Sequence, residues 1–252
     1  MQLVTDEQII YNSEKGYWGK ETSLDLLLKN ASESPEAEAL IDPYNRSALV
    51  GGQPKRYTYK QLLTAINRLA IRMIELGIRK DDIIAVQLPN IVELIVTYFA
   101  AARIGAIVTP LGMLYRTHEV EHSLKQCNYS LYVTTTNFNK FCYTDMIKDI
   151  VSKYPQLKTV IAVGPEEEIP SWALSFEKIL DTPLETHHAA DYLQGRQSGP
   201  NEVFTICWTS GTEADPKGVP RSHNHWITIG IMNIMFCILP PKCTVLASFP
   251  LI

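Results

Sequence analysis

From about residue 57 the sequence alternates short β-branched runs with longer stretches in which apolar residues return every three or four positions. Such alternation marks βαβ units around a largely parallel sheet, so the predicted fold class is α/β. Within 58–77, Leu62, Ile66, Leu69, Ala70 and Met73 share one helical face, and Gly77 stands where a left-handed C-cap is expected. Residues 83–88 (IIAVQL) read as a buried strand, Pro89-Asn90 as a turn, 91–104 as a mostly buried helix and 106–109 as a strand. The cycle continues with helix over 117–127, strand over 131–134, helix over 138–153 and strand over 159–163. Periodicity is lost over 181–202, where Pro, Gly, His and acidic residues gather. A compact strand (VFTICW, 203–208), a polar loop and a helix from about Ser222 follow. The expected organisation is an N-terminal arm with the first strands over 1–56, an α/β subdomain over 57–180, a surface connection over 181–202, and the start of a second subdomain over 203–252.

Composition places this pattern in a globular chain. Hydrophobic residues make up 46% and charged residues 20% of the 252 positions. A folded chain of 28.4 kDa is expected to expose roughly 11,000 Å². Lys and Arg number 23 against 27 Asp and Glu, without the basic cluster that tracks a nucleic-acid backbone. The five cysteines are odd in number, widely spaced and free of any C-x-x-C pair, which argues against a disulfide framework or zinc knuckle and for a reducing cytoplasm. Neither of two apolar stretches supplies the ~20 uninterrupted apolar residues of a membrane span. Residues 91–111 are interrupted by Glu93, Arg103 and Gly105, and 226–239 is only 14 residues long and carries Asn233.

The densest chemistry is Thr209-Ser210-Gly211-Thr212-Glu213-Ala214-Asp215-Pro216-Lys217-Gly218, directly after a predicted buried strand. A strand, a polar glycine loop and then a helix suit a polyanion. Backbone N–H groups and hydroxyls close around phosphate oxygens, and Lys217 adds a compact positive charge. Pro216 and Gly218 stand where a Walker A loop needs Gly and Ser or Thr, so that motif is excluded. An ordinary βα turn rich in turn formers is the plainer alternative. A second motif, His118-Glu119-Val120-Glu121-His122, satisfies H-E-x-x-H and would place two imidazoles on one helical face beside a general base, as in a zinc metallopeptidase. No third histidine follows, and the next acids, Asp145, Asp149 and Glu166 to Glu168, lack a helical ligand context. The plainer reading is a solvated helix face. Ser222 fits a helix N-cap, while His223 and His225 fit either a pocket or a structural role.

The segment TSGTEADPKG resembles the phosphate-loop signature of the AMP-forming acyl- and aryl-acid adenylating enzymes, (S/T)-S-G-T-T-G-x-P-K-G. Glu213 and Ala214 depart from it, and Glu213 puts a carboxylate where a hydroxyl could meet phosphate, so it points away or meets the metal. Residues 56–78, the turn QLPN at 87–90 and GAIVTPLGMLYRTHEVEHSL at 105–124 resemble the family's N-terminal subdomain in order and spacing. The resemblance implies attack of a carboxylate on Mg2+-bound ATP, giving an acyl adenylate and pyrophosphate, then acyl transfer to the thiol of coenzyme A or a carrier-protein phosphopantetheine. It implies that Thr209, Ser210, Gly211, Thr212, Glu213, Lys217 and Gly218 surround the phosphates and that Lys217 stabilises the leaving group, and it assigns no residue here as a metal ligand. GYWGKE at 16–21 and VPRSHNHW at 219–226 resemble ligases of aryl or small cyclic acids, although the plainer reading of Tyr17 and Trp18 is as anchors of an N-terminal arm. The family's adenine, ribose, hinge and catalytic-lysine segments cannot be assigned before SFPLI at 248–252. The expectation is therefore an N-terminal portion that does not complete adenylation alone and takes the missing portion as a covalent or non-covalent partner. A non-catalytic nucleotide- or acyl-binding module is the other reading; the acid and the thiol stay open.

Overall fold

The computed structural model describes residues 1–189, 191–209, 216–240 and 243–251. Along the chain run α1 (Asp6–Glu14), α2 (Ser23–Glu33), β1 (Glu38–Ile41), α3 (Arg46–Val50), β2 (Arg56–Thr58), α4 (Tyr59–Glu75), β3 (Ile83–Gln87), α5 (Val92–Arg103), β4 (Ile107–Pro110) and α6 (Thr117–Cys127). Then come β5 (Leu131–Thr135), β6 (Asn137–Phe138), β7 (Phe141–Cys142), α7 (Tyr143–Lys153), β8 (Thr159–Val163), β9 (Leu174–Ser175), α8 (Phe176–Asp181), β10 (Val203–Trp208), β11 (Gly218–Ser222) and α9 (His223–Cys237).

Local chemistry sets the ends of α4. The Thr58 hydroxyl accepts from Gln61 N and the Gln61 side chain accepts from Thr58 N, a reciprocal capping box. At the other end Gly77 adopts a φ of +86°, Gly77 N donates to Ile74 O, and Ile78 N donates to Met73 O. This pairing satisfies the last carbonyls and folds Ile78 back into the core beside Met73.

Among the described residues seven strands form one sheet in the order β11-β10-β4-β3-β5-β8-β9, parallel except for the antiparallel β10–β11 pair. Side chains alternate between two apolar layers, as the strand period requires. Val86, Val133 and Ile161 face a core with α2, α4 and α5, whereas Ala85, Tyr132 and Val160 face one with α6 and α7. Because β3 lies between β4 and β5, the chain steps to one side of β3 through α5 and crosses to the other through α6. A reversal of this kind opens a crevice at the carboxyl ends of the strands.

Two sequence expectations need correction. The helix expected over 138–153 begins at Tyr143, because Phe138 pairs with Phe141 across a two-residue turn in which Asn139 and Lys140 have φ of +49° and +64°. Paired left-handed residues make the tight hairpin turn that matches strand twist. The loop after β10 also does not run straight into a helix. Residues 218–222 return as β11, with Trp208 opposite Gly218 and Val203 opposite Ser222.

The end of the described chain leaves much apolar surface uncovered. Ile229, Met232, Met235 and Phe236 of α9 are exposed, Phe236 at 80%, as are Leu246 and Phe249 beyond it. The total accessible surface, 13,589 Å², exceeds the roughly 11,000 Å² expected for this mass. Among the described residues no helix is long and apolar enough to cross a membrane.

A buried ion cluster joins the residue after β1, the residue before β2, α3, α5 and α8. Glu93, 0% exposed, accepts from Arg46 Nη1 at 2.8 Å and Nη2 at 2.6 Å and from Lys55 Nζ at 2.9 Å. Asp42 accepts from Arg46 Nη1, Lys55 N and Val92 N, so one carboxylate ties the cluster to the first turn of α5. Lys55 also reaches Glu177 of α8 at 2.6 Å. Burial opposes the charge on Glu93, yet the Arg46 and Lys55 contacts hold its carboxyl below the ordinary glutamate value. Removing Glu93 leaves Arg46 with Asp42 and Lys55 with Glu177, one buried carboxylate short of compensating the cations. Glu93→Ala is expected to lower unfolding free energy in urea by about 3–5 kcal/mol. Glu38→Ala, which removes the exposed partner of Arg56, leaves the urea midpoint unchanged.

Candidate functional site

The polar loop leaves the sheet at its carboxyl edge. Strand β10 runs parallel to β4, with Thr205 opposite Val108, so its last residue, Trp208, ends on the same side as β4. One hydroxyl locks this placement. Thr109 Oγ1 donates to Ile206 O at 3.0 Å and accepts from Trp208 Nε1 at 2.7 Å. Beyond Trp208 the loop is drawn closed at its neck, where Thr209 N donates to Lys217 O and Lys217 N donates to Thr209 Oγ1, both at 3.1 Å. Thr209 and Lys217 are exposed. Gly218 closes the hairpin where a Cβ would stand 3.0 Å from the Ile206 side chain. Ser210, Gly211, Thr212 and Glu213 lie outside the described residues. Because β11 carries the chain back to the amino edge, the N-terminus of α9 starts at the opposite end of β10 and contributes no helix dipole to the loop.

A second loop at the same edge, after β4, is held by a residue that patterning alone passes over. Gln87, the one polar residue of the β3 run, is fully buried. Its Nε2 donates to Gly112 O at 2.9 Å and Tyr115 O at 3.1 Å, while its Oε1 accepts from Tyr132 OH at 2.7 Å. Arg116 completes the clamp, donating from Nη1 to the Met113 and Tyr115 carbonyls and stacking 4.0 Å from the centre of the Phe141 ring. The available signal was that single amide in an otherwise apolar strand, since a buried amide must find partners.

The H-E-x-x-H residues of α6 do not converge on a metal. His118 is 78% exposed, and the Glu119 carboxylate accepts from Arg116 N as a helix cap. His122 turns to the other side, with Nε2 3.0 Å from Pro216 O. Among the described residues no group of three or more His, Cys, Asp or Glu is placed to hold a metal ion.

Comparison with known proteins decides the family. Residues 27–250 match the sequence profile of a family described as AMP-binding enzyme. The chain belongs to that family. Its relatives include the medium-chain fatty-acid–CoA ligase of Escherichia coli (strain K12), 30% identical over 218 residues that cover 84% of this chain and 35% of that protein. They also include the 2,3-dihydroxybenzoate-AMP ligase of Bacillus subtilis (strain 168), 27% identical over 238 residues that cover 94% of this chain and 40% of that protein. The apo structure of Mycobacterium smegmatis MbtA shares the fold, with a TM-score of 0.76 at 24% identity, over 95% of this chain and 40% of that one. The chain thus spans 35% and 40% of the length of the two curated relatives.

In this member of the family the two outlying sequence features, 16–21 and 219–226, meet each other. Asn224 accepts from Gly19 N and donates to Gly19 O, and Thr228 Oγ1 donates to Tyr17 O. Trp18 packs edge-on against His225, with ring centres 5.2 Å apart, whereas the Tyr17 side chain stays exposed. Ser222 caps α9 in a reciprocal box with His225. His223 is buried, stacks on Phe204 at 4.4 Å and accepts from Ser23 N at Nδ1. These contacts fasten the arm. Burial lowers the His223 pKa to about 4, against the raising influence of Asp25 and Glu202. The unfolded chain therefore binds a proton that the folded chain refuses between about pH 6.5 and 4, and stability falls as pH drops through that window. The expected loss is about 2 kcal/mol between pH 7 and 5, read from urea midpoints. In His223→Phe the slope over the same range flattens.

Proposed function

We propose that this chain is the phosphate-loop portion of an ATP-dependent, AMP-forming carboxylate ligase. A carboxylate oxygen attacks the α-phosphorus of ATP, the bond to the bridging oxygen breaks, and pyrophosphate departs. A thiol, on coenzyme A or a carrier protein, then takes the acyl group and releases AMP. The observation that carries this reading is the closed neck between Thr209 and Lys217 at the carboxyl edge of the sheet, in a chain of the AMP-binding enzyme family.

Negative charge builds on the β and γ phosphates as the bond breaks, so a cation and donors fixed there lower the barrier. Lys217 is the cation of the described part, and Thr209, Ser210, Gly211, Thr212 and Gly218 are the proposed phosphate contacts, with Glu213 beside them. Among the described residues all five cysteines are free thiols, which supports a reducing, cytoplasmic setting. The exposed apolar side chains of α9 and the 35–40% span of the relatives support completion of the site by further polypeptide, covalent or separate.

Titration calorimetry with ATP and with magnesium pyrophosphate tests the reading. Lys217→Ala is expected to weaken both by about tenfold or more without moving the thermal midpoint; unchanged affinity removes Lys217 from the phosphate site. The 252-residue chain alone is expected to show no carboxylate-dependent ATP–pyrophosphate exchange. Robust exchange would place the whole machinery within it.

A further inference from the structure

We propose that His122 of α6 is a positioning residue for the phosphate loop, gripping its exit strand so that Lys217 is presented at the carboxyl edge. The proposal rests on the phosphate-loop reading above. His122 entered as half of an H-E-x-x-H motif, yet its imidazole is committed to the loop. Nε2 lies 3.0 Å from the carbonyl of Pro216, the residue immediately before Lys217. A carbonyl has no proton to give, so this bond requires the proton on Nε2. Gln126 Nε2 lies 2.9 Å from the same nitrogen, one helical turn along α6; two N–H donors cannot bond to each other, so with His122 Nε2 donating to Pro216 O the Gln126 amide takes the flipped orientation, its oxygen toward the ring.

The same ring packs edge-on against Trp208, with centres 6.1 Å apart at 72°, and Trp208 is itself pinned by Thr109. His122 therefore touches both limbs of the hairpin, Trp208 on the way out and Pro216 on the way back. Its own helix is fixed at the root, because Gln87 and Arg116 clamp the 112–116 segment that leads into α6. Pro216 lacks an N–H of its own, and the neck bonds between Thr209 and Lys217 hold only the residue after it. The His122 donor is thus a side-chain tie from the central sheet layers to the returning limb, and the orientation of Lys217 follows from it.

Three variants separate the donor from the ring. His122→Phe keeps the face against Trp208 and removes the proton, His122→Gln keeps an N–H of similar reach, and His122→Ala removes both. Hydrogen–deuterium exchange of peptides spanning 209–218 reads the grip without ligand. Loss of one hydrogen bond is expected to speed exchange there about tenfold in the Phe and Ala variants, with β3 and β5 unchanged and Gln near wild type. Magnesium pyrophosphate affinity is expected to fall about tenfold in Phe and Ala and to stay within about threefold in Gln. Equal exchange in Phe and wild type overturns the proposal, as does faster exchange with unaltered pyrophosphate affinity. If wild type binds neither pyrophosphate nor ATP, the phosphate reading fails and with it the assigned purpose of the grip, while the exchange data still decide whether the grip exists.

Discussion

The hydroxyl of Thr109 is the point through which the two ends of this molecule are joined at the site. It donates to a main-chain carbonyl of β10 and accepts from the indole of Trp208, so it fixes both the strand and its last side chain against β4. The parallel pairing of β10 to β4 is otherwise brief, with a single pair of residues in register. The next residue of β4, Pro110, has no N–H to extend the ladder. A side chain therefore continues the connection where the backbone cannot, and the loop after Trp208 inherits its position from it.

The same logic recurs along the carboxyl edge. Strands buried on both faces end in polar side chains that turn to a neighbouring loop or strand end: Gln87 to the segment after β4, Thr134 to Gln87 O at the end of β3, and Thr135 to Val163 O at the end of β8. Each is buried and each is satisfied, which converts the desolvation cost of a polar group into a fixed loop conformation. Away from that edge the hydrogen bonds serve a different end. Asp42, Arg46 and Glu93 fasten the first turn of α5 to the segment that follows β1, which pairs antiparallel with β2, and the arm at 16–23 is fastened to α9. The molecule thus separates the groups that hold its layers together from those that shape the loops.

Much of this was legible in the sequence. The helical period of α4 and the strand runs read at 83–88, 131–134 and 159–163 follow from spacing and composition and match α4, β3, β5 and β8 closely. What escaped were one local turn and features decided by partners elsewhere in the chain. The β6–β7 hairpin was hidden in a plausible helix because Asn139-Lys140 is a weak turn signal beside the apolar spacing that follows. Strand β11 is short and contains Pro220, so only its pairing with β10 defines it. His122 and Gln87 could be flagged as chemistry out of place, but their partners, Pro216 and the 112–116 segment, are fixed by the sheet order. The histidines at 223 and 225 resolved toward structure, since burial and capping use both rings.

The docking of the arm also dictates when the molecule can finish folding. Gly19 bonds to Asn224, 205 positions later, and α2 meets His223 through Ser23. A ribosome adding 5–20 residues each second needs roughly 10–40 s to make the intervening chain. During that interval the first helices can form against α4 and the sheet, but the arm itself has nothing to hold. The arm is made well before its partner, so the nascent chain carries its Trp18 without the His225 ring until α9 emerges.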